Sequence, residues 1–176
     1  EMMAISAQKN KINVAIATWE WPSYFSPEDR LKGITLQTAE WRRPPANTIP
    51  TDAKAAGLYM ICTLSKHKAE KDGFTDALML DYEGKVAEST GSNIFFVFNG
   101  ELHTPIPHCF LDGITRQTAI SIAEKQGIKV VQRDIYPEEI KDAQEIFLTG
   151  SAMEINPVRK IDDLEFKVGK VTSMIS

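Results

Sequence analysis

Four features of this sequence could do chemistry: a lysine among small residues, a tyrosine just beyond it, a glutamate before a glycine turn, and a glycine that opens a helix. Lys54 lies in NTIPTDAKAAGLYM (residues 47–60), flanked by Ala53, Ala55, Ala56 and Gly57. Pro50 favours an extended approach and Thr51 or Asp52 can cap, so a helix is expected from about Asp52 to Lys71 with Lys54 in its first turn. The partial positive charge of a helix N-terminus disfavours an ammonium ion there but suits a neutral amine, and small neighbours leave room for a flat ligand. Taken alone, such a lysine is more commonly a solvated surface charge. Tyr59 would border the same ligand from another side. Glu88, in VAESTGSN, ends a strand just before a glycine turn, where a carboxylate can point inward. In LDGITR (residues 111–116), Gly113 permits close approach, and Ile114 and Thr115 offer backbone N–H groups at a helix N-terminus, which suits an anion; Asp112 is the expected cap. The triplet TGS recurs at Thr90–Ser92 and Thr149–Ser151, each time after an expected strand, in turns whose N–H and hydroxyl groups can meet an anion.

Together an amine, a carboxylate, a phenol and a phosphate cradle match the needs of pyridoxal 5'-phosphate (PLP). Its aldehyde takes an amine, its ring nitrogen a carboxylate, its phenolate oxygen a donor, and its phosphate an anion site. Competing chemistries find no motif. Gly169-Lys170 is followed by Val171, which breaks a phosphate-loop pattern, and neither a dinucleotide fingerprint nor a nucleophile elbow occurs. His67, His103 and His108 lack metal-ligand spacing, so no metal is expected.

The elements that must position these residues follow from patterning. The chain has 176 residues, 43% hydrophobic and 25% charged, enough for a real core. Lys11–Trp21 and Ile34–Trp41 read as strands, separated by a polar loop with Pro22 and Pro27. Ala77–Tyr82, Lys85–Thr90, Asn93–Phe98 and Glu101–Thr104 read as a meander, with a hairpin at Asn99-Gly100. Gly113–Gln126 reads as a helix stopped by Gly127; Ile128–Arg133 and Glu145–Thr149 read as strands around a short acidic helix at Pro137–Ala143. The tail LEFKVGKV reads as another hairpin. The fold class is α+β, mostly antiparallel strands with packed helices. The net charge of −4 argues against a nucleic-acid partner, and no apolar run approaches the roughly 20 residues of a membrane helix. Cys62 and Cys109 stand alone and are expected to be reduced, and the protein is expected to be cytoplasmic. The opening EMMAIS and closing VTSMIS suggest that parts of the natural chain lie outside this sequence.

WRRPPANTIPTDAKAAGLY, VAESTGSNIF, LDGITR and EIFLTGSAMEINPV, in this order and spacing, resemble the branched-chain amino acid aminotransferases, a group of class IV aminotransferases with the fold-type IV PLP architecture. The resemblance spans most of residues 12–165. It implies a D-amino-acid aminotransferase-like fold, with residues 1–30 a remnant of the smaller N-terminal domain and 31–176 a large, incomplete PLP-binding domain. It implies that Lys54 is the catalytic amine and proton carrier, that Glu88 pairs with the ring nitrogen and Tyr59 with the phenolate oxygen, that Leu111 lies against the ring, and that Ile114, Thr115 and Ser151 hold the phosphate. Ser151 and Ala152 would meet the substrate carboxylate, while Trp21 and Tyr24 would line an apolar side-chain pocket. Ser151 stands where bacterial members often carry threonine, which preserves the hydroxyl. The family's phosphate-binding arginine and main carboxylate-binding arginine belong to an N-terminal portion that this chain does not show. The implied reaction is transfer of the amino group of leucine, isoleucine or valine to 2-oxoglutarate in a homodimer or dimer-based homo-oligomer. D-amino-acid aminotransferase and aminodeoxychorismate lyase share the fold and stay open, as does a non-catalytic binding domain, against which the joint presence of Lys54, Tyr59 and Glu88 weighs.

Overall fold

NIFFVF is apolar at every position after Asn93, a pattern that suits a strand covered on both faces. The computed structural model, which describes residues 3, 5–21 and 32–176, places it at the centre of such an arrangement. In β4 (Asn93–Phe98), Ile94 and Phe96 join one core and Phe95 and Val97 the opposite one, as the two-residue period of a strand requires. The other strands are β1 (Ile34–Arg43), β2 (Asp76–Asp81), β3 (Val86–Ser89), β5 (Glu101–Thr104), β6 (Val130–Gln132), β7 (Glu145–Gly150), β8 (Glu154–Ile161) and β9 (Leu164–Glu165). They form one sheet in the order β3-β2-β1-β8-β7-β4-β5-β6, with β9 paired to β8. The β1–β2, β1–β8 and β5–β6 ladders are parallel and the rest antiparallel, so the α+β expectation holds.

The sheet curls back on itself. β3 starts the strand order and β4 stands five places along it, yet only the turn Thr90–Ser92 joins them, and the Ser89 N–H reaches the Ser92 carbonyl at 2.8 Å. The Val86 N–H also reaches the Ile135 carbonyl at 2.8 Å, joining β3 to the segment after β6. Inside the curl lie Leu36, Leu78, Ile94, Phe96, Ile146, Leu148 and Val158. Outside, helix α1 (Met60–Lys71) covers Ala39, Ala77 and Met79 with Ala69 and Ile61. Helices α2 (Ile114–Lys125) and α3 (Lys170–Ile175) cover Phe95, Val97 and Phe147.

Several expectations need correction. Lys11–Trp21 forms no strand, and its residues are exposed. The helix expected from Asp52 begins instead as a 3-10 turn at Ala56–Tyr59 and becomes α-helical at Met60; Lys54 precedes both, and no side chain caps either start. The expected meander is split, because β3 pairs with β2 and β4 with β5 and β7, but β3 and β4 share no ladder. β8 was not expected; its Pro157 pairs with Phe147 of β7 and lies one residue before the first β1 pair, Ile34–Val158, while the register shift falls beyond it at Arg159. The tail makes only the two-residue β9 and then a helix in place of a hairpin. That helix is capped from a distance: Glu145 on β7 accepts the N–H groups of Val171 (3.2 Å) and Thr172 (2.9 Å) and the Thr172 hydroxyl (2.9 Å). The Asn99-Gly100 hairpin forms as expected, both residues at positive φ.

Phe95 and Phe147 are directly paired across β4 and β7, stacked 4.9 Å apart and fully buried. Phe95→Ala is expected to cost about 3–5 kcal/mol in urea unfolding, whereas Tyr82→Ala, at a half-exposed turn, is expected to cost no more than about 0.5 kcal/mol.

Candidate active site

A carboxylate can be buried only with partners that replace its water, and Glu88 has them. It lies on β3, 7% exposed. Its Oε1 is 3.0 Å from Nη2 of Arg43, itself 5% exposed on β1, and its Oε2 accepts from Nδ2 of Asn93 at 3.4 Å. Each remaining guanidinium nitrogen of Arg43 is also engaged: Nη1 donates to the Cys62 sulfur (3.2 Å) and Nε to the Cys109 carbonyl (3.3 Å). Burial pushes the Glu88 carboxyl up to about 8; Arg43 pulls it down and Asp76 adds a smaller upward push. The Tyr59 hydroxyl is raised too, first by burial and then by the charge of Glu88.

Glu88 forms the floor of a cavity of about 280 Å³, whose lining includes Lys54, Tyr59, Glu88, Leu111, Ile114, Thr115 and Ser151. The seven residues assigned to catalysis and cofactor binding from the sequence are therefore brought together. Each comes from a different kind of support. Glu88 is fixed in a sheet, Tyr59 ends the 3-10 turn, and Lys54 is exposed on the loop before it. Its helix-terminal placement is thus corrected, while its position at the cavity is kept. Ser151 follows β7, and the two TGS turns meet at the cavity wall, where a Cβ on Gly150 would lie 2.8 Å from the Ser92 hydroxyl.

The phosphate-cradle expectation rests on α2. Gly113 takes the N-cap position with an extended backbone and no side-chain cap, so the N–H groups of Ile114 and Thr115 have no intrahelical partner. Asp112 does not cap. It accepts from Arg116 Nη1 at 2.6 Å and from Gln117 at 3.1 Å instead. Arg116, 1% exposed, also donates to the Pro105 carbonyl and to Gln132, tying the loop to the sheet from behind. At Gly113 a Cβ would fall 2.4 Å from Asn93 Oδ1, so a side chain there would displace Asn93.

A second cavity of about 590 Å³ shares Lys54, Gly91, Ser92, Gly150 and Ser151 with the first and adds Ala152 and Met153. Ala152, expected at the substrate carboxylate, thus lines a cavity that Lys54 also lines. Trp21 lines neither cavity; it stands 56% exposed with its ring 5.7 Å from Trp19, in a segment without a strand ladder to fix it. Tyr24 lies outside the described residues. A larger and mostly apolar groove of about 700 Å³ between α2, β8 and α3 includes neither Lys54 nor Glu88.

The donor set fits a phosphorylated pyridine aldehyde on grounds of its own. The cavity holds an amine at one side, a buried carboxylate on its floor, open N–H groups at a helix start, and the buried Thr149 hydroxyl, which has no hydrogen-bond partner among the described residues. Arg43 and Asn93 were not assigned from the sequence. The signal available was indirect: a glutamate buried in a strand must have a cation or donors nearby, but sequence distance hides which ones.

The comparisons with known proteins agree with this reading. The family model described as "Amino-transferase class IV" matches residues 3–161. The branched-chain-amino-acid aminotransferase of Pseudomonas aeruginosa is 37% identical over 170 residues, covering 97% of this chain and 55% of that protein; the Escherichia coli K12 protein of that name is 37% identical over 167 residues, covering 93% and 54%. Among solved structures, the branched-chain aminotransferase of the thermophilic archaeon Thermoproteus uzoniensis with norvaline superposes with a TM-score of 0.80 at 39% identity, over 84% of this chain and 50% of that one. An aminotransferase from Brucella abortus bound to PLP gives 0.78 at 38%, over 82% and 52%. The chain spans about half the length of the curated relatives it matches.

The raised Glu88 value sets a sign for stability. The folded chain holds this proton more tightly than the unfolded one, whose carboxyl titrates near 4.5, so Glu88 makes stability fall as pH rises from about 4.5 to about 8. In melts of the cofactor-free chain from pH 5 to pH 8, Glu88→Gln is expected to flatten that decline relative to the parent, and a parallel decline in both would contradict it.

Proposed function

The chain belongs to the class IV aminotransferases, and from that membership we propose that its full-length protein is a PLP-dependent enzyme that transfers the amino group of leucine, isoleucine or valine to 2-oxoglutarate. The observation that carries the proposal is the convergence on one cavity of Lys54, Tyr59, the buried Glu88 and the open end of α2. The names of the relatives support the branched-chain choice over other substrates of this fold.

Lys54 Nζ would hold the cofactor through its aldehyde carbon, the aldehyde oxygen leaving as water, and, once displaced by the substrate amine, would carry the proton taken from the substrate α-carbon. Its exposed loop position suits a group that must both release and recapture. Glu88 would receive the ring nitrogen; Arg43 pulls its carboxyl toward the anion, burial outweighs that pull in the cofactor-free cavity, and the positive charge of a protonated ring nitrogen would tip it to the carboxylate. When bound, PLP supplies an electron sink for the substrate α-carbon. Tyr59 would donate to the phenolate oxygen, Leu111 would lie against the ring, and Ile114, Thr115 and Ser151 would hold the phosphate. Ser151 and Ala152 meet the substrate carboxylate at the junction of the two cavities. Residues 1–30 belong to a smaller domain, residues 31–176 to the larger one, and the working unit is a dimer or a dimer-based homo-oligomer in the cytoplasm.

Visible spectra of the full-length protein with PLP test this directly. A lysine–cofactor band lost on adding L-leucine, with the borohydride-reduced adduct mapped to Lys54, is expected; Lys54→Ala should abolish band and adduct, and an adduct elsewhere would contradict the assignment. Glu88→Gln should keep bound PLP while lowering turnover with leucine by at least about 100-fold, and parental turnover would remove Glu88 from its role.

A further inference from the structure

One buried side chain touches both ends of the candidate cofactor cavity without being assigned to either. Asn93 is 5% exposed at the start of β4. Its Nδ2 donates to Glu88 Oε2 at 3.4 Å and to the Leu111 carbonyl at 2.9 Å, and its Oδ1 accepts the Gly113 N–H at 3.2 Å. Glu88 is the carboxylate read as the ring-nitrogen partner; Leu111 precedes the cradle; Gly113 is the N-cap whose next two N–H groups are read as the phosphate site. The two ends are held by elements with no ladder between them, β3 on one side and the loop into α2 on the other. Asn93 bonds to both, to Glu88 on one side and to Leu111 and Gly113 on the other, while Arg43 reaches from Glu88 only to the Cys109 carbonyl earlier in the same loop.

We propose that Asn93 is a positioning residue that fixes the distance and angle between the ring-nitrogen carboxylate and the phosphate cradle, so that the site accepts a ligand carrying both groups at one spacing. The proposal rests on the PLP reading above. The amide is suited to the task because it donates and accepts at once. Its donor side faces two oxygens, Glu88 Oε2 and the Leu111 carbonyl, and its acceptor side faces an N–H, so its orientation is set by three contacts. An aspartate would set a second carboxylate against Glu88, and an alanine would leave the Gly113 N–H and the Leu111 carbonyl without this partner. The fit is close: a Cβ on Gly113 would lie 2.4 Å from Oδ1, so the cradle is seated directly on the amide.

Ratios of affinities separate positioning from general support. The full-length protein is titrated with PLP, with pyridoxal, which lacks the phosphate, and with the 1-deaza analogue of PLP, which lacks the ring nitrogen; the melting temperature of each cofactor-free variant is recorded. Glu88→Gln should lower only the preference for PLP over the deaza analogue, and Thr115→Ala only the preference for PLP over pyridoxal. Asn93→Ala should lower both preferences by about tenfold each, the scale of coupling between residues in one network. Gly113→Ala, which presses on Oδ1 from the cradle side, should lower both as well, and decides the matter if Asn93→Ala does not fold. A uniform loss of affinity for all three ligands, or a loss at one end only, would overturn the positioning role while leaving the PLP reading intact. A parent protein that binds PLP no better than pyridoxal and the deaza analogue would overturn both.

Discussion

The contact between Arg43 and Glu88 is the constraint around which the site is arranged. Removing two opposite charges from water is costly, and leaving either without the other costs about 3–5 kcal/mol. The pair is buried at 3.0 Å, and its members come from β1 and β3, which are separated by β2. The guanidinium therefore reaches past a strand, and on its other edges it takes the Cys62 sulfur from α1 and the Cys109 carbonyl from the loop that leads to Leu111. One cation thus gathers two strands, a helix and a loop around a carboxylate. The curl of the sheet, the position of α1 and the path into α2 all have to be right for that carboxylate to be satisfied.

Against this fixed floor, the amine is placed differently. Lys54 is exposed on a loop, whereas Glu88 and Asn93 are held in strands. A rigid scaffold with a reactive group on a loop is a common division of labour, since the scaffold sets geometry and the loop permits exchange. Here Glu88 and Asn93 sit in well-packed strands at one part of the cavity, while Lys54 borders it from an exposed loop.

Elements whose signal is local form as their sequence implies. The Asn99-Gly100 hairpin, the both-faces-apolar strand NIFFVF and the helix between Gly113 and Gln126 are each written in adjacent residues and appear as expected, to within a residue at their ends. The cavity residues were legible because their motifs resemble a known family, more than because their chemistry could be derived one by one. What failed was non-local. The tail helix is capped by Glu145, far away on β7, and Pro157 sits in β8 one residue before its ladder with β1 begins. Arg43 looks like one of two surface arginines in WRR, and nothing adjacent announces that it will be buried against Glu88.

The most direct test of this account is a crystal structure of the full-length protein with PLP. The ring nitrogen is expected within hydrogen-bond distance of Glu88 while Glu88 keeps its contacts with Arg43 and Asn93, with the phosphate on the Ile114 and Thr115 N–H groups and the aldehyde carbon bonded to Lys54. A cofactor bound elsewhere, or one whose ring nitrogen turns away from Glu88, would contradict it.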